Sequence, residues 1–351
     1  MRIAQISPIV VRVPPPAHGG VELVVHYVTE ELVKQGHEVT LFASGDSVTT
    51  AQLHSITPTS LRTAGITDHN SSQISIEYDV ANAAACFGRA GDFDIIHNNA
   101  GFPAMIMAQF VATPVLTTLH RLLTREYDSL WPTYKGYYNT LSRSAKGDLP
   151  NKGYLGAVYN AIDCQNFPFA GKGEGYLLFL SRISPLKGAH TAIQVAKRVG
   201  RSLTLAGNIE SKEQEYFEKE VLPLIDGRIV KFFGEADREQ KKRLFAGADC
   251  LLFPIDWEEP FGLVMVEAMA CGTPVIALNR GAVSEVVVDG GTGFIVGTVD
   301  EMVDAVGRIG EIDRRRCREH VERNFNVPRM VDNYLVLYQR ILDIERQDSG
   351  V

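Results

Sequence analysis

A chain of 351 residues is longer than one hydrophobic core usually grows, so its length predicts two domains. Hydrophobic residues make up 45% of it and charged residues 22%, with no low-complexity tract, which excludes a disordered chain. A formal net charge of -7 argues against nucleic acid as a partner, because a polyanion is held by clustered Lys and Arg.

The N-terminal stretch "MRIAQISPIVVRV" breaks at a run of prolines and is too short and wrongly flanked for a signal peptide or membrane span. It reads as a first buried strand. Further strands are predicted over 38–43 ("EVTLFA"), 94–99 ("DIIHNN"), 114–120 ("PVLTTLH") and 156–160 ("GAVYN"). Between the first two, Val21, Val24, Val25, Val28 and Leu32 recur at three and four residues, the apolar stripe of a helix lying on a sheet. "FPFAGKGEG" (167–175) is polar and glycine-rich and reads as a linker.

After the linker the alternation restarts, with strands over 176–183, 202–207, 229–234, 249–254, 274–279 and 293–296. Alternating β and α signals predict an α/β chain of two doubly wound, Rossmann-like domains, residues 1–166 and 167–328, facing across a cleft. A final helix within 329–351 is expected to pack back on the first domain. "DRRRCREHVER" (313–323) mixes bases with acids at helical spacing and reads as a solvated helix face. Cys86, Cys164, Cys250, Cys271 and Cys317 lie far apart, with no C-x-x-C pair and no His at ligand spacing; a reducing cytoplasm fits, and no metal site is expected.

The chemistry concentrates in "EEPFGLVMVEAMACGTPVIA" (258–277), where Glu259 and Glu267 stand eight residues apart in an apolar stretch. With Pro260 in the first helical turn and Gly262 beside it, the helix would carry Glu259 at its mouth and Glu267 about 12 Å further on. That exceeds the roughly 5–10 Å between the carboxyls of glycoside hydrolases and suits the two ends of one ligand. A nucleotide sugar has hydroxyls at both ends and a diphosphate between them. Cations for the diphosphate are available in "SRISPLKGAH", as Arg182 at a strand end and Lys187 five residues later. Gly19 and Gly20, just before the first helix, leave backbone N–H groups open to an anion.

These residues carry a resemblance. "RIAQISP…GGVELVVHYVTEELVKQGHEVTLFA", "SRISPLKG", "EEPFGLVMVEAMACGTPVIA" and "GGTGFIV" resemble the retaining, nucleotide-sugar-dependent glycosyltransferases of the GT-B fold, in family four, the group 1 glycosyl transferases. The resemblance implies that Glu267 holds the ribose, that Arg182 and Lys187 hold the leaving diphosphate, and that Glu259 with the backbone of Phe261, Gly262 and Leu263 holds the donor sugar. His120 matches the family histidine beside the donor sugar, and Gly19 and Gly20 match the loop that closes on phosphate and acceptor. It implies transfer of a hexose-type unit to a hydroxyl with retention, without metal or cofactor, the departing phosphate taking the acceptor's proton.

The resemblance puts a UDP-sugar first as donor, with GDP- or ADP-sugars as alternatives, and leaves a small molecule, glycan or glycoside as acceptor. No strong basic amphipathic helix indicates a membrane partner. An epimerase or phosphorylase on the same fold, or a catalytically silent nucleotide-sugar-binding protein, are the alternative readings. His97 reads as a cleft-lining residue without a role, His18 as either an acceptor contact or a loop residue, and Glu285 as a family acid or a helix cap. The D-x-D at 92–94 runs straight into a strand and is read as chance. The Tyr-rich segment 121–156 with Trp131 suits either a sugar platform or an aromatic core.

Overall fold

The structure, a computed structural model, describes residues 1–16, 19–66, 71–131, 134 and 136–348, except for the side chains of residues 71, 72 and 348. The chain divides into two compact units, Met1–Ala161 with Val327–Val351, and Ile162–Asn326. His18 lies outside the described residues.

In the first unit, β1 (Arg2–Ile6), β2 (Glu38–Phe42), β3 (Gln52–His54), β4 (Ile95–Asn98), β5 (Val115–Leu119), β6 (Tyr137–Thr140) and β7 (Tyr154–Ala157) pair in parallel, in the order β3-β2-β1-β4-β5-β6-β7. In the second unit, β8 (Tyr176–Leu180), β9 (Ser202–Ala206), β10 (Val230–Gly234), β11 (Ala248–Phe253), β12 (Val275–Leu278) and β13 (Gly293–Val296) pair in the order β10-β9-β8-β11-β12-β13, also in parallel. Each order runs outward from a central strand, then crosses to the other side. That is the doubly wound α/β architecture, with its switch point between β1 and β4 in one unit and between β8 and β11 in the other. Such sheets collect ligands at the carboxyl ends of the strands beside the switch.

Helices cover both faces, which is why the central strands β1, β4 and β5 are buried on both sides rather than alternating between buried and exposed. Ala4 and Ile6 of β1 pack with Ala83 and Cys86 of the helix Ser71–Phe87. Gln5, on the opposite face of the same strand, meets Tyr338 of the last helix, Val327–Asp348. In the helix Gly20–Lys34, Val24, Val25, Val28 and Leu32 are all buried.

Three readings of the sequence change. The edge strand β3, three residues long, and β6, inside the Tyr-rich segment, had no clear strand signal, and the seventh strand ends at Ala157 rather than running over 156–160. Of the two readings left open for the Tyr-rich segment, Trp131, Tyr134 and Tyr138 take the aromatic core, packed with Phe102, Met105 and Leu119. The helix Leu263–Ala270 starts after Gly262, so Pro260 precedes it instead of forming its first turn. The arginines of 313–323 are only partly solvated, because two of them turn inward. Arg314 donates to the carbonyls of Ala170, Ala246 and Ala248 and to Thr273 Oγ1, and Arg318 donates to those of Phe167 and Ala270. A guanidinium has five donors, and here they satisfy loop, strand and helix-end carbonyls beneath the helix Arg314–Asn324.

Candidate active site

In the second unit the loops after β8 and β11 meet. Lys187 closes a 3-10 turn, Pro185–Lys187, and Gly188 follows in the left-handed region at φ 75° before the helix Ala189–Val199. A Cβ on Gly188 would overlap the carbonyl of Pro254, the first residue past β11, so only glycine lets the two loops approach this closely. Asp256 N–H donates to the Leu186 carbonyl at 2.8 Å and fixes their register.

This places Lys187 Nζ 2.6 Å from Glu259 Oε2, with the two side chains only 12% and 11% exposed. The Trp257 ring lies under the ammonium, its centroid 4.5 Å from Nζ, and its Nε1–H donates to the same Glu259 Oε2 at 3.1 Å. Both donors therefore use one carboxylate oxygen, and among the described residues Glu259 Oε1 has no hydrogen-bond partner. The loop after β12 presses on Glu259 from behind, where a Cβ on Gly281 would overlap the Glu259 backbone and Ala282 N–H donates to the Glu259 carbonyl.

Phe261 is buried edge-on against Phe325, so only its backbone is available to a ligand. Gly262, at φ 82°, caps the helix Leu263–Ala270 without any side-chain hydrogen bond, and Leu263 and Val264 are half-buried. Glu267 is buried and paired with Lys241 Nζ at 3.1 Å, Lys241 coming from the helix Arg238–Gly247. Arg182 is half-exposed and donates to Glu210 at 2.9 Å. Of the four charged residues singled out in the sequence, only Lys187 and Glu259 are in direct contact. Arg182 and Glu267 each hold a partner that the sequence did not mark.

In the first unit, Gly19 precedes the helix Gly20–Lys34, and a Cβ on it would come 2.8 Å from Pro15 Cβ and 2.9 Å from Glu22 Oε2. His120 follows β5 and its Nε2 lies 2.9 Å from Asn99 Oδ1; burial lowers its pKa to about 4. His97 does not line a surface. It is buried with both ring nitrogens engaged, by Thr118 Oγ1 and Tyr338 OH at 2.7 Å each, and burial followed by the nearby His120 lowers its pKa to about 3.

Two family models match the chain, "Glycosyltransferase Family 4" over residues 18–149 and "Glycosyl transferases group 1" over residues 165–323. The chain belongs to the group 1 glycosyltransferases. The glycogen synthase of Mycobacterium tuberculosis is 27% identical to it over 354 aligned positions, covering 84% of this chain and 81% of that one. Among solved structures, the sucrose-phosphate synthase of Thermosynechococcus elongatus superposes with a TM-score of 0.79 at 20% identity, covering 98% and 99% of the two chains. Anabaena HepE in complex with UDP-glucose superposes with a TM-score of 0.70 at 19% identity, covering 97% and 100%. The fold of this glycosyltransferase is GT-B, two Rossmann-like domains.

Other marked residues of the glycosyltransferase have structural partners. Asp94 accepts from the backbone and guanidinium of Arg2, and Asp92 pairs with Arg89 at 3.0 Å, so the D-x-D carboxylates are held by cations of their own unit. Glu285 sits inside a four-residue helical turn, Val283–Val286, capped by Ala282. Among the described residues, no group of three or more His, Cys, Asp or Glu side chains is placed to hold a metal ion, and no helix is long and apolar enough to cross a membrane. Trp257 is the residue that the sequence reading passed over. Its indole two residues before Glu259 was a visible signal, but only the fold turns it onto Lys187.

Proposed function

We propose that this glycosyltransferase moves a hexose-type sugar from a nucleoside diphosphate donor to a hydroxyl acceptor, with retention and without a metal. The observation that carries the reading is the Lys187–Glu259–Trp257 cluster at the β8/β11 switch point. Glu259 offers Oε1 to sugar hydroxyls while Oε2 stays fixed. An ammonium has three donors and Glu259 takes one, which leaves two for phosphate oxygens. Arg182 has donors to spare beyond Glu210 and adds a second positive charge.

As the bond from the anomeric carbon to phosphate breaks, positive charge grows on the sugar and negative charge on the diphosphate. Preorganised cations stabilise the latter by several kcal/mol. The departing phosphate oxygen takes the acceptor's proton on the face it leaves, which gives retention without a protein nucleophile. Glu267 serves the ribose, its carboxylate oriented by Lys241, and the backbone of Phe261, Gly262 and Leu263 serves the sugar. In the first unit, His120 serves the donor sugar, and Gly19 and Gly20 serve phosphate and acceptor. The complex of Anabaena HepE with UDP-glucose supports a UDP-hexose as the first donor to test.

A thermal-shift screen of nucleoside diphosphates and their sugars tests the reading, since a ligand at a hundred times its Kd adds about 2.7 kcal/mol to the native state. UDP and a UDP-hexose are expected to raise Tm, with EDTA leaving the shift unchanged and proton NMR of the product showing the donor's anomeric configuration. Failure of every nucleotide to shift Tm, or an inverted product, would overturn it.

A further inference from the structure

A continuous line of buried hydrogen bonds crosses the first unit from β6 to His120. It starts at the Thr140 carbonyl, which can only accept, so Asn139 must present Nδ2 to it, at 3.3 Å. Asn139 Oδ1 then faces Thr118 at 2.7 Å; two oxygens that close need a proton between them, so the Thr118 hydroxyl spends its single proton there and not on Tyr334 OH at 3.3 Å, which can itself donate. Thr118 Oγ1 is left to accept from His97 Nε2 at 2.7 Å, so His97 carries its proton on Nε2 and is bare at Nδ1. Tyr338 OH, 2.7 Å away on the last helix, must donate to that bare nitrogen, and its oxygen accepts from Gln5 Nε2 at 3.2 Å. Gln5 Oε1 accepts from Asn99 Nδ2 at 3.3 Å, so Asn99 can only offer Oδ1 to His120 Nε2, at 2.9 Å.

Every link donates in one direction, and one peptide carbonyl fixes that direction. The side chains are all buried except that of His120, which is half-buried at the end of the line. Among the described residues, His120 Nδ1 has no hydrogen-bond partner.

We propose that Asn99 is a positioning residue that holds His120 in the Nε2–H tautomer, so that His120 meets its ligand as an acceptor at Nδ1, and that Tyr338 of the C-terminal helix sets the orientation of Asn99 through Gln5. The catalytic part of this rests on His120 serving the donor sugar, as proposed above. A donor-sugar hydroxyl would then point its proton at His120 and leave its own oxygen free to accept elsewhere. The low basicity that burial gives both imidazoles keeps the line in its neutral, one-way form.

Nitrogen-15 NMR of histidine-labelled full-length protein at pH 7 reads the tautomers without reference to turnover. The Nε2–H form is expected for both His97 and His120, and Nδ1–H at His120 would overturn the proposal. Asn99→Asp retains the acceptor but adds a charge and loses the donor to Gln5. It is expected to convert His120 to the imidazolium and cut kcat at least tenfold with donor KM within about twofold. Tyr338→Phe removes the relay hydroxyl and, should Asn99→Asp not fold, is the second variant; it is expected to mix the His120 tautomers and lower kcat severalfold. Unchanged ring signals in both variants would overturn the positioning role. Changed ring signals with an unchanged rate would uphold the positioning role and instead overturn the placement of His120 at the donor sugar.

Discussion

Glu259 Oε2 accepts from two donors of different kinds, the Lys187 ammonium and the Trp257 indole, while the ring of that same tryptophan faces the ammonium. In so enclosed a site the three groups act as a unit. Removing the cation strands a carboxylate that water barely reaches, and removing one partner of a buried pair typically costs about 3–5 kcal/mol. Replacing both partners by apolar residues of similar size removes the charge along with its need for a partner, and is often near neutral. Lys187→Ala is therefore expected to destabilise the second unit more than the double variant Lys187→Met with Glu259→Leu. The chain has two tryptophans, Trp131 in the first unit and Trp257 in the second. Urea unfolding followed by Trp257 fluorescence in a Trp131→Phe background isolates the second unit; additive losses would show that the pair is not coupled.

The helix Ala189–Val199 has a left-handed glycine at each end, Gly188 at φ 75° and Gly200 at φ 65°, yet the two do different work. Around Gly200 a Cβ would meet nothing within 4 Å, whereas at Gly188 it would overlap the Pro254 carbonyl. Gly200→Ala should cost only about 1 kcal/mol, the ordinary penalty for a non-glycine residue in that region, and leave activity near normal. Gly188→Ala must push the β8 and β11 loops apart and part Lys187 from Glu259, so turnover is expected to fall at least tenfold. Equal effects of the two substitutions on kcat would refute this account. The contrast also shows what the sequence made legible at this scale. Runs such as "YLLFL" and "VIAL" announce buried parallel strands, and "GHEVT" announces the turn into β2, because local composition decides them. The Lys241 partner of Glu267 and the Glu210 partner of Arg182 come from elements 26 and 28 residues away, and no local pattern records such a meeting. β6 was obscured for a related reason. "YYNT" reads as polar and aromatic because its polar side chains find their partners inside the unit, Asn139 with Thr118 of β5 and Thr140 with the Ser142 carbonyl and Tyr154.

At the scale of the molecule, the first unit buries ionisable groups whose demands on pH oppose one another. Burial raises Glu22 and Asp79 each to about 7, partly offset by backbone N–H groups, that of Glu22 itself in one case and that of Ile9 in the other. Burial lowers His97 to about 3 and His120 to about 4. Between roughly pH 4.5 and 6.5 an unfolded chain has lost its carboxyl protons but still carries its imidazole protons. Across that window the folded unit retains two carboxyl protons that the unfolded chain has released, so this contribution to stability falls as pH rises. The folded unit also lacks two imidazole protons that the unfolded chain holds, and that contribution rises with pH. The two slopes run against each other. Glu22→Gln combined with Asp79→Asn removes the first and leaves the second. The stability of this variant relative to the parent is expected to climb from pH 4.5 to 7, by up to about 3 kcal/mol for each carboxyl at 1.36 kcal/mol per pKa unit. Urea unfolding followed by Trp131 fluorescence in a Trp257→Phe background measures the first unit alone, and parallel pH curves for variant and parent would show that Glu22 and Asp79 titrate normally.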